Sequence, residues 1–246
     1  VTSPAAYHFD WGAEGLEALV PTSSVIVIVD VLRFTTAVCC ALESNVTVLP
    51  YRWNDDGAAA YAVANDAALA GLREDGVLSL SPTDLLTAPA GTRLVLPSPN
   101  GSALAFAARD MGVPHVLAGC LRNASAVAVR ARELAAGRPI GFVAAGERWS
   151  NHEGPLRPAV EDMLGAGAVL AALDPSAAVG APACSPEAAA ARAAFVAARP
   201  RLYDTLADCV SGRDLLARGW HDDVATSAAH DVSTVVPRLV ANEFRR

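Results

Sequence analysis

The sequence predicts an α/β protein, with a largely parallel or mixed sheet covered by helices on both faces. Three observations carry that expectation. Val25-Ile26-Val27-Ile28-Val29 is an unbroken β-branched run, the pattern of a strand buried on both sides as in a parallel sheet. Apolar runs of similar size recur down the chain, separated by segments of helical pattern, and such alternation is the signature of an α/β architecture. The 246 residues are 52% hydrophobic and 18% charged, so the chain can bury enough surface to offset its conformational entropy.

The elements follow in order. After the first strand, Leu32 to Ser44 has helical character and leads to a second strand around Val46–Leu49. An alanine-rich helix is expected over about Asp56–Leu72. Further strands are expected at Val77–Leu80, Leu94–Leu96, Val116–Ala118 and Ile140–Ala145, with helices at Ala103–Asp110, Ser125–Ala136 and Pro158–Leu173. The Pro-, Ser- and Gly-bearing stretch Asp174–Pro186 reads as a loop or lid. Beyond it the pattern is helical to about His230, punctuated by Pro200 and by Gly212 or Gly219. The whole, residues 1–246, is read as one domain carrying that lid.

Composition narrows the function. A formal net charge of −7 argues against nucleic acid as the main partner, because phosphate backbones call for a basic surface. No apolar run approaches the roughly 20 residues of a membrane span. Cys39, Cys40, Cys120, Cys184 and Cys209 form no CxxC pair, which reads as buried free thiols in a reducing cytoplasm. Val1 to Ala5 show no basic stretch leading into an apolar one, so no export signal is expected. The apolar, alanine-rich composition makes a homodimer reasonable.

Four strand–turn–helix junctions carry ionisable or amide side chains: Asp30 to Thr36, Ser98 to Ser102, Gly119 to Asn123 and Gly146 to Trp149. In open α/β sheets the carboxyl ends of strands and the adjoining helix N-termini form the binding crevice. Asp30 closes the most buried strand, where a carboxylate is costly unless paired, hydrogen-bonded or holding a metal. Arg33, Thr35 and Thr36 follow within a turn and suit an anionic oxygen, although the threonines serve equally as helix caps. Ser98, Asn100, Gly101 and Ser102 fit an anion nest or an ordinary tight turn. Arg122 and Asn123 stand at a helix start as anion-site candidates. Cys120 lacks the arginine that cysteine phosphatases place six positions on, where Ala126 stands, and is read as a packing residue.

The segment from Glu147 to Asp162 is the most informative. Pro158 suits the first turn of a helix whose remainder, past Asp162, is apolar all round and therefore buried. Glu161 and Asp162 gain from the helix dipole at that end; with Asp30 and Glu147 they also make an oxygen donor set suited to magnesium. A salt-bridge network with Arg33, Arg148 and Arg157 is the rival explanation. The five histidines share no spacing, and His152 is read as an exposed loop residue. No GxGxxG, Walker, GxSxG or HExxH pattern occurs, and Asp30 lacks the second aspartate of the aspartyl-phosphate signature.

Taken together, five internal strings resemble the 2-phosphosulfolactate phosphatase family: Val29–Thr36, Ser98–Ser102, Gly119–Ala124, Ala145–Trp149 and Leu156–Ala168. Ser211–Leu215, Asp222–Val224 and Asp231–Pro237 are similar to it as well. The resemblance is ordered and spans roughly residues 25 to 240. It implies a three-layer α/β/α fold of two similar intertwined halves, and a magnesium-dependent hydrolase converting 2-phospho-3-sulfolactate to 3-sulfolactate and phosphate, a step of coenzyme M biosynthesis. On that basis Asp30, Arg33, Glu147 and Arg157 are expected to be catalytic, and Asp30, Glu161 and Asp162 to hold Mg2+. Thr35, Thr36, Ser98, Asn100, Gly101, Ser102, Arg122 and Asn123 would bind the small anionic phosphorylated substrate. Two other readings stand beside it: a phosphatase for another phosphorylated hydroxy acid, and a non-catalytic binder of small anions on the same scaffold, which would keep the arginines and anion nests but need no metal carboxylates.

Overall fold

The first strand expected from sequence, β2 (Val25–Val29), is fully buried and forms the spine of a nine-stranded mixed sheet. The computed structural model describes residues 6–52, 56–73, 77–149, 154–173 and 183–246. In β2 the odd residues Val25, Val27 and Val29 face one core and the even residues Ile26 and Ile28 face the other, as the two-residue period of a strand requires. Over the odd face lie α6 (Ala124–Ala135), α7 (Val160–Leu173) and α8 (Pro186–Ala198). Over the even face lie α1 (Gly12–Leu19), α2 (Phe34–Glu43), α4 (Pro82–Leu85) and α5 (Gly101–Asp110). The result is a three-layer α/β/α fold.

The sheet consists of two parallel sets. β1 (Tyr7–Trp11), β7 (Ile140–Ala144), β2 and β6 (His115–Gly119) run parallel. So do β3 (Thr47–Tyr51), β5 (Arg93–Pro97) and β4 (Ala68–Leu69). The C-terminal hairpin of β10 (Arg238–Val240) and β11 (Glu243–Arg245) sits between them, antiparallel to β6 on one side and to β3 on the other. Three successive antiparallel pairings reverse the sense, so the two sets run in opposite directions. The chain crosses between the sets twice, from β2 through α2 to β3, and from β5 through α5 to β6. Those two crossings put the N-termini of α2 and α5 beside each other, and this meeting point becomes the floor of the site.

Several expectations are corrected. The helix expected to reach Leu72 ends at Ala64 (α3, Asp56–Ala64). Asp66 there takes a left-handed φ of 49°, and Ala67 N–H returns to the Ala62 carbonyl, a helix-closing turn that Asn and Asp residues tolerate. The run Val77–Leu80 forms no strand; Ser79 makes one isolated bridge with Gly71. Most of the expected lid, residues 174–182, and His152 lie outside the described residues. The end of that segment is tied down: Cys184 bridges Tyr7, and Ser185 caps α8 by accepting from Ala188 N–H at 3.2 Å. The helical C-terminal region is as expected, in α8, α9 (Leu202–Asp208), α10 (Val210–Ala217) and α11 (His221–Ala228). Gly219, at φ 79°, makes the break between the last two. Cys39, Cys40, Cys120 and Cys209 are buried free thiols, and Cys184 is half-buried.

The two helices α7 and α8 touch backbone to backbone. A Cβ on Gly167 would lie 2.2 Å from the Ala191 carbonyl oxygen, so Gly167→Ala must push the helices apart. Overpacking of this kind costs about 1–3 kcal/mol, and urea denaturation should show a loss of unfolding free energy of that size, read from a lower midpoint at unchanged m-value.

Candidate active site

Asp30 follows β2 directly, and its carboxylate is held by both crossing helices. Oδ1 accepts from Phe34 N–H at 3.1 Å, in the first turn of α2, and Oδ2 accepts from Gly101 N–H at 3.0 Å, the first residue of α5. Gly101 is required for this approach, since a Cβ there would lie 2.3 Å from the Phe34 ring and 2.8 Å from Asp30 Oδ2. Two helix N-termini thus present their positive ends to one carboxylate.

Three further carboxylates gather near Asp30. Asp162, in the first turn of α7, accepts from Val31 N–H at 2.7 Å and from Gly146 N–H at 2.9 Å. Glu161 beside it is buried, and its Oε2 has no hydrogen-bond partner. Glu147 sits in a two-stranded hairpin of β8 (Glu147–Arg148) and β9 (Leu156–Arg157), directly opposite Arg157. Its Oε1 accepts from Asn100 Nδ2 at 3.1 Å. Burial, reinforced by the Glu147 and Glu161 charges, pushes Asp30 up to about 6, although the two backbone N–H groups work against the rise. Burial first, then Asp30 and Glu161, hold Asp162 well above the usual carboxylate range. Burial, and next the adjacent Glu161 carboxylate, push the Cys209 thiol up to about 12. Negative charge is concentrated here beyond what the local N–H groups neutralise.

Asp30 opens onto a cleft of about 540 Å³ whose wall includes Arg33, Ser98, Asn100, Glu147, Arg148 and Arg157. The C-terminal helices supply the opposite wall through Ser211, Asp214, Arg218 and Trp220. Arg33 stacks 4.5 Å from the Trp220 ring centroid, and Arg157 donates to Ser211 Oγ at 3.1 Å. Four arginines therefore border a cleft floored by a buried carboxylate.

The structure thus brings together Asp30, Arg33, Ser98, Asn100, Glu147 and Arg157 of the residues singled out from sequence, with Gly101 immediately behind Asp30. The others stand apart from the cleft wall. Thr35 Oγ1 donates to the Asp30 carbonyl at 2.8 Å, Thr36 Oγ1 to the Val31 carbonyl at 2.8 Å and Ser102 Oγ to the Leu96 carbonyl at 3.1 Å; each stabilises its own turn. Arg122 pairs with Glu43 at 3.1 Å and donates to the Thr226 carbonyl at 3.2 Å. Asn123 accepts from Cys120 N–H at 2.9 Å and donates to the Val235 carbonyl at 3.1 Å. Of the three carboxylates expected to hold metal, Asp30 lines the cleft and Glu161 and Asp162 lie behind it. Nothing in the sequence assigns a site role to Ser211, Arg218 or Trp220, although Ser211 lies in the string Ser211–Leu215 that is similar to the family.

The comparison with known families bears directly on this cleft. A family model described as 2-phosphosulpholactate phosphatase matches residues 14–242, nearly the whole chain. The chain belongs to the 2-phosphosulpholactate phosphatase family. Membership makes it a phosphoric monoester hydrolase, and the match runs from α1 through β10, so it takes in every residue of the cleft wall named above. A comparison with curated proteins finds no match.

Proposed function

We propose that this cleft hydrolyses 2-phospho-3-sulfolactate to 3-sulfolactate and phosphate with the help of magnesium. The observation that carries the reading is the facing of Asp30, held by two helix N-termini, toward Arg33, Arg148, Arg157 and Arg218 across one cleft. The substrate class has phosphate, carboxylate and sulfonate groups on a three-carbon frame. Several arginines suit it, because their planar forks take such oxygens two at a time.

The donor set is consistent with magnesium. Among the described residues no three acidic, histidine or cysteine side chains converge closely enough to cage an ion alone. Magnesium needs no such cage, since it keeps several waters and binds through one or two carboxylates plus substrate phosphate. Glu161, with its unpartnered Oε2, and Asp30, whose oxygens each keep a second lone pair, are the residues that would hold it. Asp162 would support them by fixing Val31 and Gly146. When bound, the ion would supply charge neutralisation at the phosphate oxygens.

The chain's own groups account for the remaining steps. Phosphoryl transfer depends chiefly on positioning and electrostatics, and the arginines neutralise and orient the phosphoryl group. Glu147, held by Asn100, is placed to take the proton from an attacking water as the P–O bond to the leaving hydroxy acid breaks. The released alkoxide takes up a proton from solvent and Glu147 returns its own to solvent, so water and phosphomonoester yield alcohol and phosphate in balance.

Phosphate release from 2-phospho-3-sulfolactate, beside a panel of other phosphorylated hydroxy acids and with or without EDTA, tests the reading. Magnesium-dependent turnover favouring the sulfonate is the expected result; equal turnover of the panel would reassign the substrate. A second readout needs no turnover. Magnesium should raise the melting temperature of the wild-type chain, and Glu161→Gln should reduce that rise to less than half, as measured by differential scanning fluorimetry.

A further inference from the structure

Asp223 is fully buried at the start of α11, and its carboxylate joins three separate parts of the chain. Oδ2 accepts from Arg33 Nη1 at 2.7 Å and lies 3.4 Å from Arg73 Nη1. Oδ1 accepts from Ser81 Oγ at 2.5 Å, and the same hydroxyl caps α4 by accepting from Asp84 N–H. The Trp220 ring, one residue before α11, covers the Arg33 guanidinium at 4.5 Å. Arg33 is therefore gripped at one nitrogen and across its plane, while it still lines the cleft.

We propose that Asp223 is a positioning residue for anion binding: it fixes the Arg33 guanidinium so that the rest of its fork faces the phosphoryl group. The inference rests on the reading of Arg33 as an anion-binding residue. The physical reason is the flexibility of the arginine side chain, which holds much rotamer entropy when unrestrained. A carboxylate on one edge and an indole across the plane remove that freedom before the substrate arrives, and preorganisation of this kind strengthens binding. Ser81 completes the device by anchoring the second carboxylate oxygen, so that Asp223 cannot swing away with Arg33.

The alternative role, a brace that merely holds α11 and α4 to the body, predicts a different energetic pattern. A brace acts independently of Arg33, whereas a positioning residue acts through it, and a double-mutant cycle separates the two. The measurement is inorganic phosphate affinity by titration calorimetry, with KM and kcat beside it, in wild type, Asp223→Asn, Arg33→Lys and the double variant. Asp223→Asn is expected to weaken phosphate binding about tenfold, with KM rising more than kcat falls, because the ion-paired hydrogen bond to Arg33 becomes a weaker one to a neutral amide oxygen. In the Arg33→Lys background the same change should cost less than about twofold.

Ser81→Ala keeps the Asp223 charge and gives the same test with a smaller perturbation, about threefold in the wild-type background and none beside Arg33→Lys. Equal losses in both backgrounds would overturn the inference, as would wild-type affinity in Asp223→Asn. Failure of the wild-type chain to bind phosphate would overturn the reading of Arg33 and this inference with it. Phosphate binding by wild type that is unaltered in both single variants at Asp223 and Ser81 would overturn this inference alone.

Discussion

Asp30→Asn is expected to lower kcat by roughly 10²–10⁴-fold, the range over which loss of a positioned catalytic group is felt, while the chain stays folded. The side chains are nearly isosteric, but the amide cannot reproduce the carboxylate. Asp30 accepts an N–H at each oxygen, from Phe34 and from Gly101. In asparagine one of those positions becomes an NH2 group and faces a donor. The variant also loses one of the negative charges that would hold a cation.

The same residue sets a pH dependence of stability in the metal-free chain. Asp30 is raised from 3.8 to about 6, so the folded state keeps its proton over a range where the unfolded chain has lost it. Stability from this group is fully present below about pH 4 and declines as pH rises through about 6, by as much as about 3 kcal/mol at neutral pH. Asp162, raised in the same direction, adds to the decline. Denaturant unfolding in EDTA should therefore show falling stability from pH 4 to 7 in the wild type and a shallower fall in Asp30→Asn. Flat stability across that window in the wild type would contradict the burial of these carboxylates.

Gly101→Ala is expected to lower kcat/KM about 10²-fold, comparable to a 1 Å misplacement of reacting groups, and to cost about 1–3 kcal/mol of stability through overpacking. The added Cβ would meet the Phe34 ring at 2.3 Å and Asp30 Oδ2 at 2.8 Å, so either α5 retreats or Asp30 turns. In both cases the hydrogen bond from Gly101 N–H is lost and the two crossing helices no longer converge on one carboxylate. Thermal melts and steady-state kinetics on the same preparation would separate the two effects. Wild-type kinetics in a destabilised variant would show that the approach matters for packing and not for the site.

What could be read from the sequence follows from how local each signal is. The β2 run and the aspartate closing it are a local pattern, and they locate the centre of the sheet and of the site. Asn100 and Glu147 were legible for the same reason, as polar residues in turns after strands. Arg122 looked equivalent, at a helix start after β6, but Glu43 on α2 neutralises it at 3.1 Å, a contact made across the fold. The strands β4, β10 and β11 have two or three residues each, too few for an alternating pattern to register. The β10–β11 hairpin nevertheless joins the two parallel sets. Arg218 and Trp220 reach the cleft only because α10 and α11 fold back over the ends of the strands, and nothing within their own segment says so.

Binding of the phosphoryl group at the cleft over Asp30 can be seen in a crystal soaked with magnesium and with tungstate as the phosphoryl mimic. The oxyanion is expected within hydrogen-bond distance of Arg33 and beside Asn100, with Arg157 on its far side. Tungstate seated instead in the separate pocket between Tyr51, Phe106 and Arg109, with the Asp30 cleft empty, would contradict it.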